Sequence, residues 1–382
     1  MKKTVSLILV LLVVFSVFCV PVCAAEFTEE ISAKSAILMD AATGKVLFEH
    51  NADEALPPAS VTKVMTLLLV FEALDGGTLA LTDMVTASET AASMGGTQIF
   101  LEVGEQMCVE DLIKSVVISS ANDAACALAE HIAGSESAFV AKMNERAKEL
   151  GMANTNFENT NGLDDTTENH VTSARDIAIM SRELMKHEKI FDYTTVWMDT
   201  VRGGTFGLSN TNRLLRTYSG CTGLKTGSTS KAKFCISATA KRGDLSLIAV
   251  VMGAPTRDER NALAAKLLDF GFANYALFSE KEAAMEALPL TGGVKKTLAV
   301  KKNGYEALLE KTDIAKIEAV CELPESVKAP VKAGDVIGKV TYKCGETVLG
   351  TADIVAAEDA EKMGFFTLFV RILRYMVCSP EN

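Results

Sequence analysis

The 382-residue chain has no internal repeat, no low-complexity tract and no collagen-like or coiled-coil pattern. Those gaps exclude fibrous and repeat architectures and leave an ordinary globular protein, long enough for two domains and a well-buried core. A basic excess is also missing. The formal charge is −11, so the clustered Lys and Arg that nucleic acid rewards are not there, and the acidity serves solubility. Histidine is scarce: His50, His131, His170 and His187 are all there are. No H-E-x-x-H and no G-x-S-x-G occurs, which excludes a zinc peptidase and a Ser-His-Asp hydrolase of the usual pattern. Nine cysteines are present, without a CxxC pair and without histidine at metal-like spacing. Neither a metal nor an organic cofactor is expected.

What is there begins with Met1-Lys2-Lys3-Thr4, an apolar run from Val5 to Val22, and Cys23-Ala24-Ala25. A short basic start, an apolar stretch and small residues at its end describe a secretory signal peptide over residues 1–24, cleaved before Ala25. An uncleaved anchor is the alternative, since the run is nearly long enough to span. Loss of Lys2 and Lys3 takes the charge from −11 to −13. The seven cysteines that remain (Cys108, Cys126, Cys221, Cys235, Cys321, Cys344, Cys378) are odd in number and scattered. Most of them are expected to be small core residues, and the set is not expected to form a disulfide framework. Cys221 stands out only for lying four residues before Lys225.

Two apolar runs, Ala36–Met39 and Val46–Phe48, flank Asp40-Ala41-Ala42-Thr43-Gly44 and read as a β-hairpin. Helical periodicity covers Val109–Ser119, stops at Ser120-Ala121-Asn122 and resumes over Asp123–Ile132. Further helices are expected at Phe139–Leu150, Ala174–Lys186 and Arg257–Phe278. Strand patterns at Phe234–Ala240 and Leu245–Met252 suggest an antiparallel hairpin, with Leu224-Lys225-Thr226-Gly227 at the start of its first strand. The sum is a mixed α/β domain with an antiparallel sheet and a helical region, residues 25–285. Short strands punctuated by Gly304, Gly334 and Gly338 then suggest a small all-β, sandwich-like domain, residues 286–360. In residues 361–382, Gly364, Thr367, Arg371, Arg374 and Cys378 form a narrow stripe on an otherwise apolar helix. It is too short to span a bilayer comfortably and carries two arginines, so it fits an amphipathic helix lying in a membrane surface. The bland alternative is a helix docked on its own protein.

The chemistry gathers around "PPASVTKVM". Pro57 and Pro58 stop anything helical before Ala59, which puts Ser60 in the first turn of a new helix. Lys63, three residues on, shares its face. A neutral lysine can take a serine proton, provided burial or a nearby cation lowers its pKa. Alone, the pair also reads as a helix cap and a surface charge. Two further elements follow in order, Ser120-Ala121-Asn122 in a break between helices and Lys225-Thr226-Gly227 at a strand. S-x-x-K, S-x-N and K-T-G in that order form the signature shared by penicillin-binding proteins and serine β-lactamases.

From about Ala33 to its end the chain resembles the exported low-molecular-weight penicillin-binding proteins, the serine-type D-Ala-D-Ala carboxypeptidases. "FLEVGEQMCVEDLIKSVVISSANDAACALAE", "FENTNGL", "HVTSARDIAIM", "NTNRLL" and "GLKTG" carry the likeness beside the first motif. The resemblance implies a penicillin-binding, β-lactamase-like transpeptidase domain followed by the small β-domain and the terminal helix. It implies Ser60 as the acylated nucleophile, Lys63 as general base and Ser120 as a proton relay. Asn122 would hold the substrate backbone. Lys225 and Thr226 would attract the terminal carboxylate, Lys225 would also lower the pKa of Lys63, and Gly227 would permit close approach. The backbone N–H groups of Ser60 and Ser228 would form the oxyanion hole. The implied partners are the peptidoglycan stem peptide, β-lactam antibiotics and a membrane surface, at the outer face of the cytoplasmic membrane. Two positions depart from the family: Ala121 and Lys233 stand where many relatives carry glycine, and Lys233 is expected to add a cation near the site. A β-lactamase is the rival enzyme and needs a glutamate, for which Glu158 lies at roughly the right distance. A catalytically silent wall- or penicillin-binding protein is the rival from another class.

Overall fold

A computed structural model describes residues 27–377, so the leader reading for residues 1–24 and Cys378 lie outside the described residues. Strands β1 (Ser35–Asp40) and β2 (Val46–His50) form the expected hairpin. Its turn is held by Asp40, whose carboxylate accepts from the N–H and the hydroxyl of Thr43, both at 2.7 Å. Strands β3 (Cys221–Thr229), β4 (Lys233–Arg242) and β5 (Leu245–Ala254) complete a five-stranded antiparallel sheet in the order β2-β1-β5-β4-β3. The Lys-Thr-Gly segment is therefore not at the start of a two-stranded hairpin. It occupies its own edge strand, because Thr229–Ala232 turns the chain, with the Thr229 hydroxyl accepting the Ala232 N–H at 3.0 Å.

Helix α1 (Lys63–Asp75) continues a single 3₁₀ turn, Ala59–Thr62. Its residues Lys63 to Leu68 are buried without a polar face, as expected for a helix surrounded by others. Val109–Lys114 is α-helical, Ser115–Ser119 widens into a π-turn, and α2 (Asn122–Ala133) follows Ser120 and Ala121. Helix α3 (Ala174–Leu184) and helix α4 (Arg257–Asn274) cover opposite faces of the sheet. Ser181 of α3 hydrogen-bonds Ser237 at 2.7 Å, and Ser237 shares its face with Val250 and Ile37. Gly271 of α4 instead packs on Leu38 and Leu247, which point the other way. Burial on both faces is why β5 reads as a nearly unbroken apolar run.

Helix α4 ends at Asn274, four residues before the expected Phe278. Residues Tyr275–Glu280 instead pair antiparallel with Tyr305–Glu310, a non-local exchange that local periodicity does not reveal. Beyond lies a sheet of five strands, ordered Ala283–Ala284, Val300–Lys302, Thr347–Ala356, Val336–Cys344 and Ile317–Glu322, and a second sheet of three short strands. Leu290, Leu298, Val300, Val340, Tyr342 and Ile354 form their common core. Helix α5 (Phe365–Val377) closes the described chain. Phe365 and Phe366 are 84 % and 77 % exposed, and Leu368, Phe369, Val370, Ile372 and Leu373 are exposed too. No helix among the described residues is long and apolar enough to cross a membrane. Of the six described cysteines, all free thiols, only Cys126 and Cys235 are fully buried, while Cys108, Cys221 and Cys344 are half-buried and Cys321 is exposed. The core expectation is thus met in full by two of them.

Candidate active site

The three motifs converge on one cleft of roughly 470 Å³, lined by Ser60, Ser120, Thr226, Gly227 and Ser228, with Trp197 and the arginines 213, 257 and 260 further along. Each arrives by a different device. Ser60 is presented by the 3₁₀ turn after Pro58, and Ala59 before it sits at φ +50°. Ser120 follows the π-turn at φ +68°. A non-glycine residue in the left-handed region costs roughly 1–2 kcal/mol and persists only where its surroundings impose it. Edge strand β3 runs past Ser60 so closely that a Cβ on Gly227 would lie 2.7 Å from the Ser60 N. Only glycine fits there.

Lys63 lies wholly buried beneath Ser60. Its Nζ is 3.0 Å from Ser60 Oγ, 2.6 Å from Asn122 Oδ1 and 2.8 Å from the Asn161 carbonyl. Burial pushes its pKa well below the ordinary lysine range, the Lys225 ammonium pushes the same way, and Asp123 opposes both. Lys225 is buried as well, donates to the Thr226 carbonyl at 2.9 Å, and is lowered to about 7 by burial and then by Arg260. The Asn122 amide is held at both ends, with a second N–H left over: Oδ1 accepts from Lys63 and Nδ2 donates to the Gly95 carbonyl at 2.8 Å. The Thr226 hydroxyl pairs with that of Thr211 at 2.7 Å. A serine hydroxyl on a low-pKa amine, in a cleft lined by cations, is equipped for acyl transfer on a substrate carrying a carboxylate.

A second layer supports the first. His170 Nδ1 accepts the Glu158 N–H at 2.9 Å, so Nε2 carries the proton and donates to Thr62 Oγ1 at 2.8 Å. The Thr62 hydroxyl in turn donates to the Ala59 carbonyl at 2.8 Å. Burial lowers the His170 pKa to about 4, which keeps the ring neutral and the tautomer fixed. The imidazole thus braces the turn that presents Ser60. Glu158, the residue a β-lactamase reading would use, has its carboxylate bound to the N–H groups of Glu168 and Asn169 at 3.0 and 3.1 Å.

Both departures from the family pattern have a backbone reading. Ala121 is extended at φ −61°, ψ 124°, a conformation open to any residue. Lys233 sits at φ +57°, a left-handed conformation that glycine adopts most readily; it is exposed at the start of β4 and is not among the residues that line the cleft. The cation expected near the site pairs in register with Thr229, next to Ser228, without lining the cleft itself. Motif reasoning missed Asn161, which acts through its carbonyl and so carries no side-chain signature. It also missed Arg260, 2 % exposed on α4, whose guanidinium donates to Asn261 Oδ1 and the Cys235 carbonyl.

An antiparallel sheet with a helical region, meeting at a cleft with a serine over a buried lysine, defines the class of penicillin-binding, transpeptidase-like proteins. Within that class the chain belongs to the D-alanyl-D-alanine carboxypeptidase family, whose profile matches residues 22–256, and the profile of the penicillin-binding protein 5 C-terminal domain matches residues 272–362. It is 43 % identical to the D-alanyl-D-alanine carboxypeptidase DacF of Bacillus subtilis over 89 % of each chain. Identity to DacC of Escherichia coli is 35 %, over 90 % of this chain and 88 % of the relative. Among solved structures, penicillin-binding protein 5 from Haemophilus influenzae superposes with a TM-score of 0.76 at 33 % identity, covering 88 % of this chain and all of that one.

Proposed function

We propose that Ser60 is the nucleophile through which this serine-type D-Ala-D-Ala carboxypeptidase removes the terminal D-alanine of peptidoglycan stem peptides. The observation that carries the reading is the environment of Lys63. A neutral amine has two N–H groups and one lone pair. Asn122 Oδ1 and the Asn161 carbonyl take the two N–H groups, and the lone pair is left for the hydroxyl of Ser60. Ser60 Oγ attacks the penultimate D-alanine carbonyl as Lys63 Nζ takes its proton. The backbone N–H groups of Ser60 and Ser228 receive the developing oxyanion. Ser120 passes a proton to the departing amine, Lys225 and Thr226 hold the terminal carboxylate, and Asn122 contacts the substrate backbone while fixing Lys63. Water then hydrolyses the ester. A β-lactam enters the same steps and remains on Ser60 as a long-lived acyl-enzyme.

The division into a catalytic domain over 25–285, a β-domain over 286–360 and a surface-seeking helix over 361–382 belongs to the same reading. The exposed aromatic and aliphatic side chains of α5 support attachment to the outer face of the cytoplasmic membrane. The test is D-alanine release from a soluble pentapeptide ending in D-Ala-D-Ala, by the protein and by its Ser60→Ala variant. Release by the first and not the second is expected, with covalent penicillin labelling lost in parallel. An adduct persisting on Ser60→Ala would overturn the nucleophile.

A further inference from the structure

Lys63 is held by a backbone carbonyl on a loop, and that loop is tied down at both of its ends. On one side Thr160 is fixed by the Glu136 carboxylate, which accepts its N–H at 3.1 Å and its hydroxyl at 2.8 Å, while the Thr160 carbonyl accepts from Thr66 at 2.6 Å. On the other side Asp164 reaches across to the end of β3. Its carboxylate accepts the Thr229 hydroxyl, and its backbone carbonyl accepts Lys231 Nζ at 2.5 Å. Asp164 is 5 % exposed. Between the two anchors the loop staples itself, with Asn159 Oδ1 taking the Gly162 N–H at 2.7 Å and Asn161 Oδ1 taking the Leu163 N–H at 2.9 Å.

These contacts close a ring. Ser60 leads to Lys63, Lys63 to the Asn161 carbonyl, and the loop to Asp164. Asp164 leads to Thr229, and the chain runs back through Ser228 and Gly227 to the Ser60 backbone, against which Gly227 lies. Groups meant for one transition state are thus spread over three separate elements: the α1 turn, the 159–164 loop and strand β3. Misplacement of about 1 Å between such groups is enough to cost orders of magnitude in rate.

We propose that Asp164 is a positioning residue: by clamping the 159–164 loop to Thr229 it sets where the Lys63 amine stands relative to the Ser60 and Ser228 amides. This rests on the reading of Ser60 and Lys63 given above. Without the clamp the Asn161 carbonyl drifts from Lys63 and water reaches the amine. The groups that face Lys63 are then unchanged in kind (Lys225, Asp123 and the neutral His170), but the burial that dominates its low pKa is relaxed.

The test is the second-order rate of penicillin acylation in the full-length protein as a function of pH. Asp164→Ala and Thr229→Val each slow acylation by about tenfold or more and move the acidic limb of the profile to higher pH. Asp164→Asn, whose Oδ1 still accepts from Thr229, and Thr229→Ser both stay within about threefold of the parent. The double variant Asp164→Ala/Thr229→Val is no slower than Thr229→Val alone, because that variant has already lost the contact to Asp164 as well as the acceptor of the Ala232 N–H. Parent-rate acylation by Asp164→Ala, losses that simply add in the double variant, or an Asp164→Asn as slow as Asp164→Ala would each overturn the clamp. Should Asp164→Ala not fold, Asp164→Ser, which shortens the side chain and leaves the Thr229–Ala232 turn contact in place, takes its part in the comparison. Persistent labelling of Ser60→Ala would remove the underlying reading instead, so the two failures are told apart.

Discussion

Replacing Gly162 by alanine tests whether the 159–164 loop positions the site. Gly162 sits at φ +87°, and an added Cβ would lie 1.8 Å from the Ala59 carbonyl oxygen, 2.4 Å from its carbon and 2.7 Å from Thr62 Oγ1. Real Cβ atoms essentially never approach closer than 3.0 Å, so loop and turn must separate by at least 1.2 Å, which is 3.0 less 1.8. Such a shift stretches the 2.8 Å contact from Lys63 to the Asn161 carbonyl to about 4 Å, beyond hydrogen-bonding range. Left-handed strain, overpacking and an unpaired buried donor together come to about 4 kcal/mol. In a chain of this size that is a fall in Tm of roughly 5 °C. Gly151→Ala is the control: at φ +73° it carries the same backbone strain, but nothing lies within 4 Å of the new methyl. Calorimetry and penicillin acylation are measured on both. Gly162→Ala should lose most acylation wherever it remains folded, and Gly151→Ala should lose a few degrees and no acylation. Equal behaviour of the two variants would refute the argument that the loop's contact with Ala59 matters.

Lys225→Met removes the cation that acts on Lys63 with little change in volume. The Lys63 pKa then rises, more of it is protonated at a given pH, and the acidic limb of the acylation profile moves to higher pH; an unmoved limb counts against the coupling. His170 has a folded pKa of about 4 against about 6.5 when unfolded. As pH falls through 6.5 the unfolded chain takes the proton first, so stability drops between pH 6.5 and 4 and levels off below. The loss is at most ~3 kcal/mol, and a His170→Gln variant should show a shallower decline of Tm over that interval. Removal of residues 361–382 should leave D-alanine release from soluble peptide intact while abolishing sedimentation with anionic vesicles; a truncated protein that still sediments would place the contact elsewhere.

Local order made much of this legible in advance. Pro57 and Pro58 set the start of the Ser60 turn, the break at Ser120 interrupted an otherwise helical pattern, and β1 with β2 announced itself by two apolar runs about Asp40 and Gly44. Where local patterns were read too far, pairing between distant segments was the cause. The stretch after Asn274 has helical neighbours and apolar content, yet it gains more by bonding to Tyr305–Glu310. Lys225-Thr226-Gly227 looked like the start of a hairpin, and it became an edge strand because Thr229 turns the chain and Gly227 must lie against Ser60.

Residue types, their spacing and their order were enough to bring Ser60, Lys63, Ser120, Asn122 and Lys225 forward as the proposed chemistry-bearing side chains, since S-x-x-K, S-x-N and K-T-G are each a local matter of a turn, a break and a strand. What they could not determine is the charge state that makes a lysine a base. That depends on desolvation and on Lys225, a residue 162 positions away from Lys63 along the chain. Nor could they show that the Asn161 carbonyl meets the Lys63 amine, that Gly162 lies against Ala59 or that the Asp164 carboxylate reaches Thr229. Hydrogen bonds to main-chain atoms leave no mark in a sequence, and only the folded loop brings them to the amine.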